Sequence, residues 1–448
     1  MTQLFKVLKN AWRVEEIRKK LLFIFLLLLV YRLGSTIPLP GIDLELLYQV
    51  RHGHGEFSQD TVMTIFAMIS GGGIGSIFAM GIAPFITASI IMQLLTYAIP
   101  SLSELQKDGD TGRKKIEQIT RHLAVGLAVL QGIAMVYSYT NWPPAHGGFN
   151  LFHPSAQNML MYVLATVTIV TGTVLIMWLA EWLTKMKMGN GASFLIFANI
   201  LAGLPNGIIS MWHMFATSNL MVLGAIQIIL ILFLFVAIIV FVVWIHEGER
   251  RLPVKYSRSA ISGSHSGVHG GEKSYIPLKV NIAGVMSIIF ALSLLQFPAQ
   301  VAMFFPSPLD QGRNFIEWIA HYLSFSHPVG AIAYIVLIFM FTHFYTSFAV
   351  NPVEMAESLK KNGGFIPGIR SGKPTSDFIG VTVNRLSWIG AVFYSMIALI
   401  PILLQVAIPS LQIGFGGTTL LIITGVALEF VKQLESQLLV RHHKGFLG

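Results

Sequence analysis

An all-α membrane protein of ten transmembrane helices, set as two inverted five-helix halves with a re-entrant half-helix, is the fold this sequence predicts. Three observations predict it. Of 448 residues, 54% are hydrophobic and only 11% charged, against roughly 25% charged in soluble domains, so the chain cannot cover a surface that faces water on all sides. Ten uncharged stretches reach the roughly 20 residues a helix needs to cross hydrocarbon. Lys and Arg then alternate from loop to loop, as the bias toward positive cytoplasmic loops requires. A soluble enzyme, a disordered chain and a conventional nucleic-acid-binding domain are excluded despite the net charge of +9. With no Cys, there is no disulfide framework, thiol nucleophile or thiolate metal site.

Residues 1–20 form a basic amino-terminal segment, and the first span follows at 21–37. Lys19 and Lys20 before the apolar run resemble a signal peptide, but Leu33-Gly34-Ser35-Thr36-Ile37-Pro38 offers no small-residue cleavage site. The segment is read as a retained span. The others are expected at 74–98, 122–141, 157–180, 193–209, 217–245, 282–302, 328–350, 386–406 and 415–434. The amino-terminal segment, the even-numbered loops and the carboxyl-terminal end hold 27 of the 30 Lys and Arg residues, which puts both termini on the cytoplasmic side. Five spans fill 21–210 and five fill 211–434, with a tail at 435–448. The second half therefore enters the membrane in the opposite sense, the arrangement of an inverted repeat.

Between Asp60 and Glu104 the sequence has no acidic or basic residue. As one helix those residues would run ~65 Å, about twice the hydrocarbon thickness, so the segment must break. Ser70-Gly71-Gly72-Gly73-Ile74-Gly75 is where it breaks, because glycine tolerates unusual backbone angles. The piece before it, Thr61–Ile69, is long enough only to reach the midplane. Irregular backbone at that depth is tolerated where it lines a cavity, so a re-entrant half-helix implies an opening entered from outside. An amphipathic helix lying on the outer surface is the alternative.

The spans carry little chemistry. Coupled transporters and pumps need ionisable groups at midplane depth, yet Glu181 and Glu429 lie toward cytoplasmic ends and His343 in the cytoplasmic half of the eighth span. Arg32, in the outer half of the first span, is expected to pair with a nearby carbonyl or acid. The glycine run lacks the G-K-[ST] ending of a phosphate loop. His265 and His269 sit in a Gly/Ser linker composition and do not make a metal site. No catalytic residue, metal or cofactor is expected, so energy for any transport must come from a partner. The cytoplasmic loops 246–281 and 351–384 are long, basic and rich in Gly and Pro, which suits an acidic partner surface or ribosomal RNA phosphates. A small-solute transporter built as an inverted repeat, or a membrane-embedded enzyme or insertase, would each need a buried constellation that the spans do not offer.

Several stretches resemble the SecY family, the central subunits of the bacterial protein-conducting channel (translocon). They are Tyr31-Arg32-Leu33-Gly34-Ser35-Thr36-Ile37-Pro38-Leu39-Pro40-Gly41-Ile42, the run Phe78–Leu95 around Gly81-Ile82-Ala83-Pro84-Phe85-Ile86-Thr87, Gly189-Asn190-Gly191, Ile276-Pro277-Leu278-Lys279-Val280-Asn281, Phe365-Ile366-Pro367-Gly368-Ile369-Arg370 and Phe415-Gly416-Gly417-Thr418. The resemblance implies a passive channel that moves unfolded secretory polypeptides across the bacterial plasma membrane and releases membrane segments sideways into the lipid bilayer. It implies a plug at about 57–73, with Thr61, Val62, Met63, Ile65, Phe66, Met68, Ile69, Gly71 and Gly72. It implies a pore ring of Ile82, Ile86, Ile196, Ile289 and Ile422, although an isoleucine stripe is otherwise plain packing. Thr87, Ile90, Gln93, Gln131, Ser293 and Gln296 would border a lateral gate between the second and seventh spans. Arg250, Arg251, Lys255, Arg258, Lys360, Lys361 and Arg370 would dock the SecA motor or the ribosome, and SecE and SecG would be small membrane partners. Two departures stand out: Ala260–Gly271 has no Lys or Arg, and Ser287 occupies a position where many relatives have proline. An accessory member serving special substrates is therefore a second reading within the family.

Overall fold

The computed structural model describes residues 11–52, 73–140, 150–217, 221–256, 274–280, 282–302, 314–324, 327–407 and 417–444. Its helices are α1 (Glu15–Thr36), α2 (Leu44–His52), α3 (Ala83–Ala98), α4 (Pro100–Lys107), α5 (Gly109–Thr140), α6 (Met159–Lys185), α7 (Gly191–Thr217) and α8 (Met221–His246), followed by strands β1 (Glu249–Tyr256) and β2 (Ser274–Lys279). Then come α9 (Met286–Ala302), α10 (Phe315–Tyr322), α11 (Pro328–Ala349), α12 (Pro352–Lys361), β3 (Gly364–Phe365), α13 (Lys373–Ala407) and α14 (Gly417–Lys444). Each of the ten apolar stretches carries a helix. Among the described residues four helices, Gly109–Thr140, Met159–Lys185, Pro328–Lys361 and Lys373–Ile400, are long and apolar enough to cross a membrane, and α3 with α4 makes a fifth bent by 100°.

The helices pack in a pattern that occurs twice. In the first half α3 touches α5, α5 touches α6, α6 touches α7, and α1 lies against both α6 and α7. In the second half α9 touches α11, α11 touches α13, and α13 touches α14. There α8 lies against α14 and meets α13 through Phe241 and Phe393, ring centroids 5.0 Å apart. The halves join where equivalent helices meet, α3 with α9 and α7 with α14. They also join where α7 meets α8 and where Lys20 of α1 reaches Gln437 of α14 at 3.3 Å.

The expectation of an all-α chain is corrected by a three-stranded sheet of order β2-β1-β3. Leu252 and Val254 are buried while their neighbours on β1 are exposed, the period of two that makes one face of a strand. On β2, Leu278 is buried between exposed Pro277 and Lys279. β3 pairs only with Lys255 and Tyr256, so at Pro253 the central strand has a neighbour on one side, a position that tolerates a missing N–H. Leu359, Ile366, Ile379, Val383 and Leu386 complete the core under this sheet.

Four boundaries also differ from expectation. The second apolar stretch is helical only from Ala83, because Gly73, Gly75 and Gly81 take positive φ and Pro84 sits in the first turn. α13 starts at Lys373, well before the apolar run at 386, since Ile379, Val383 and Leu386 at helical spacing bury its polar first turns against the sheet. Helix α7 runs through residue 210, and α14 continues through the tail to Lys444.

Candidate functional site

The five candidate ring residues come from both halves of the chain. Ile82 is the N-cap of α3 and Ile86 lies one turn further on; Ile196 is on α7, Ile289 on α9 and Ile422 on α14. They are 2%, 4%, 5%, 4% and 5% exposed, and all five belong to the largest buried apolar cluster. Helix α14 can come close to Val285, the residue just before α9, because residue 425 is Gly: a Cβ there would lie 2.1 Å from a methyl of Val285.

The half-helix residues Thr61, Val62, Met63, Ile65, Phe66, Met68, Ile69, Gly71 and Gly72 lie outside the described residues. Directly after them the chain is fastened. Leu39 N–H donates to the Gly75 carbonyl at 2.9 Å and Ile77 N–H to the Ile37 carbonyl at 3.0 Å. The Gly75 N–H donates to the Tyr139 hydroxyl at 3.1 Å.

Where α3 and α5 face α9 and α11, the candidate gate residues divide into two kinds. Thr87 and Ser293 turn their hydroxyls onto their own helices, at the carbonyls of Ala83 and Ile289, and Ile90 is buried. Gln131 donates to Gln300 Oε1 at 2.9 Å, and Gln93 accepts from the Tyr345 hydroxyl. Gln296 Nε2 is buried with no hydrogen-bond partner among the described residues. Gln300 and Tyr345 were not legible as candidates from composition. Gln300 does lie seven residues after Ser293, hence on the same helix face, and that spacing is the signal that points to it.

The ionisable groups within the apolar stretches have structural partners. Arg32 donates to the side-chain carbonyl of Asn199 at 3.4 Å, Arg121 pairs with Glu181 at 2.8 Å, and His343 shares a hydrogen bond with Ser387 at 2.7 Å. Ser287 is fully buried and donates to the Gly284 carbonyl at 3.3 Å. No group of three or more metal-ligating side chains occurs among the described residues.

The sheet brings basic residues of both long loops together. Arg250, Arg251 and Lys255 are exposed on β1, Lys360 and Lys361 are exposed at the end of α12, and Arg370 is exposed just beyond β3. Arg251 is engaged internally: it bonds Glu249 at 2.7 Å, which raises its pKa, and lies over the Tyr275 ring at 4.8 Å. Arg258 falls outside the described residues, as does the uncharged tip 260–271.

Comparison with known proteins gives a consistent result. The family profile of SecY matches residues 76–431. The protein translocase subunit SecY of Bacillus licheniformis is 39% identical over 454 aligned positions, which cover 99% of this chain and 100% of that protein. A solved protein-conducting channel shares the fold with a TM-score of 0.65 at 20% identity, covering 93% of this chain and 91% of its own. Sec61 in a canine ribosome-channel complex from the endoplasmic reticulum gives 0.61, also at 20% identity, covering 93% and 91%.

Proposed function

Because the chain belongs to the SecY family, we propose that it is the central subunit of a bacterial translocase, moving unfolded polypeptides through a pore sealed by Ile82, Ile86, Ile196, Ile289 and Ile422. It is a protein-conducting channel of the membrane, not an enzyme. The observation that carries the seal is the burial, in one apolar cluster, of isoleucines from four helices of both halves. Aliphatic side chains offer no hydrogen bonds, so a narrow ring of them dewets and blocks ions. It also favours no particular substrate side chain, as a pore for chains of any sequence requires.

The rest of the reading follows from position. Ten spans in two inverted halves are supported by the contact pattern that occurs twice. In that arrangement α3 and α9 border a lateral gate, with residues 57–73 as the plug and both termini in the cytoplasm of the bacterial plasma membrane. The sheet with Arg250, Lys255, Lys360, Lys361 and Arg370 serves as the cytoplasmic docking platform for the SecA motor or the ribosome, with SecE and SecG as membrane partners. Among the described residues Arg32, Arg121, His343 and Glu181 are engaged with Asn199, Glu181, Ser387 and Arg121, which counts against the ion site of a coupled solute transporter. Purification in mild detergent tests the reading. Small SecE-like membrane subunits should co-purify with the chain, and a chain that purifies alone under conditions that preserve its fold would count against it.

A further inference from the structure

Helix α10 has three unlike sides. At about 3.6 residues per turn, Phe315, Trp318 and Tyr322 line one side, and Asn314, Glu317 and His321 line another. Ile316 and Ala320, on the third, are half-buried, and the helix packs on α9 and touches α11. Phe315 is 76% and Trp318 51% exposed, so the aromatic side is uncovered among the described residues. The turn that follows seats α10 on the start of α11. Leu323 N–H donates to the Ile319 carbonyl at 2.9 Å, and His327 N–H donates to the Ser324 carbonyl at 3.1 Å. Residue 330 is Gly, where a Cβ would lie 2.1 Å from the Ser324 carbonyl oxygen, so the turn lies directly on the first turn of α11. Trp318 packs on Tyr322 at 4.2 Å and Tyr322 on His327 at 4.5 Å, centroid to centroid. That aromatic run leads to Val329, Ile332 and Val336, an exposed apolar stripe of α11.

We propose that α10 is an interfacial anchor: its aromatic side lies in the headgroup layer of the outer leaflet and holds α9 and α11 at a fixed depth. The proposal rests on the reading that places this loop outside. The occupant is lipid because the helix from Pro328 is long and apolar enough to cross a membrane. Its exposed stripe then faces hydrocarbon, and its first turn marks the boundary with water. The aromatic run of α10 begins at that boundary, the level at which Trp and Tyr are enriched. A helix with Phe and Trp on one side and polar groups on another lies in the plane of the interface. From 314 to 327 the sequence has no Lys or Arg, so the attraction is burial of aromatic area and not charge on the headgroups. Seating therefore requires no anionic lipid. The close turn passes the position of α10 on to α11, and packing passes it to α9.

The test uses the complete translocase in vesicles of phosphatidylcholine and phosphatidylethanolamine, with one spin-labelled cysteine at a time in this Cys-free chain. Oxygen, which concentrates in lipid, and a nickel chelate, which stays in water, each relax the label by collision. At Phe315→Cys and at Trp318→Cys oxygen should be the stronger collider by several-fold, and at Asn314→Cys and His321→Cys the nickel chelate. Either aromatic position decides if the other variant folds poorly. Dominance of nickel at 315 and 318 would place the helix in water, and weak collision with both reagents would mean that a protein covers that side. Each of these results overturns the lipid seat. The anchoring is read at Val329→Cys, whose exposure to the nickel chelate should rise several-fold when Phe315→Ser and Trp318→Ser are combined with it. Unchanged exposure there would overturn the anchor. Position 314 reached by an impermeant maleimide only from the cytoplasmic side would overturn the outward orientation of the loop, whereas the seat itself is decided by the oxygen pattern at 315 and 318.

Discussion

A single side chain decides whether the proposed seal holds. Ile422 of α14 is 5% exposed among apolar neighbours, and Asn in its place would bring an amide with donors and an acceptor. Burying that amide without partners costs about 1–3 kcal/mol, which shifts a closed-to-open ratio by roughly ten- to a hundredfold. Ile422→Asn should therefore conduct ions at rest in planar bilayers without motor or substrate, and a folded variant as tight as the parent would remove Ile422 from the ring. Charge around the sheet is decided residue by residue as well. Arg251 is occupied by Glu249 and Tyr275, whereas Arg370 is exposed and its carbonyl accepts from Thr375. Arg370→Glu should thus weaken motor-driven translocation several-fold, by turning attraction to an acidic surface into repulsion, while the amount of channel in the membrane stays unchanged. Translocation at the parental rate at ordinary motor levels would exclude it from docking. Neither assignment was legible in composition. An isoleucine in an apolar span looks like any other, and an Arg paired two residues away looks like a free one. The resemblance named the ring, and only the fold separates Arg251 from Arg370.

At the scale of elements, the described parts of the two long loops share one sheet. Their length and basic charge were legible in the sequence, but the strands were not, because Pro253 and Pro277 and the surrounding charge resemble linker. The signal was the short alternation Arg251-Leu252-Pro253-Val254-Lys255, too brief to stand out beside ten apolar spans. Registration of Lys255 opposite Phe365 fixes the second loop to the first, and this is what sets Arg370 on the same platform as Arg250. Val254, 2% exposed in the sheet core, is the residue that tests it. Val254→Asp buries a carboxylate without a partner, at a cost of several kcal/mol, and should loosen both loops together. Limited proteolysis should then cut near 256 and near 364 faster than in the parent, while the resting bilayer conductance stays at the parental level. Faster cutting in one loop alone would mean that the loops fold separately. The late start of α3 belongs to the same scale. The sequence announced a break at 70–75, but helix and glycine turn share one uncharged run, so only backbone angles reveal that the turn extends through Gly81.

Across the whole molecule, the charge alternation and the doubled packing pattern are independent of each other and lead to the same arrangement. Counting Lys and Arg uses only the loops, whereas the contacts of α1, α3, α5, α6 and α7, and of α8, α9, α11, α13 and α14, use only the spans. Five helices per half is an odd number, so a chain that starts in the cytoplasm begins its second half from the opposite side. In the proposed arrangement equivalent helices run antiparallel, and the contacts α3–α9 and α7–α14 are those expected between the halves. Ten uncharged stretches were legible, and each carries a helix. The partners of each helix were not, since α6 and α8 are apolar on every side and carry no stripe to say which face packs. Orientation is the property on which platform and seal both depend, and the absence of Cys makes it directly measurable. A single cysteine at Lys255, exposed on β1, should react with a membrane-impermeant maleimide only after the cytoplasmic side is opened to the reagent. A single cysteine at Asn314, exposed just before α10, should react in intact cells. One span more or fewer between these positions would put both on the same side, and labelling of Lys255→Cys from outside intact cells would invert the second half and take the docking platform with it.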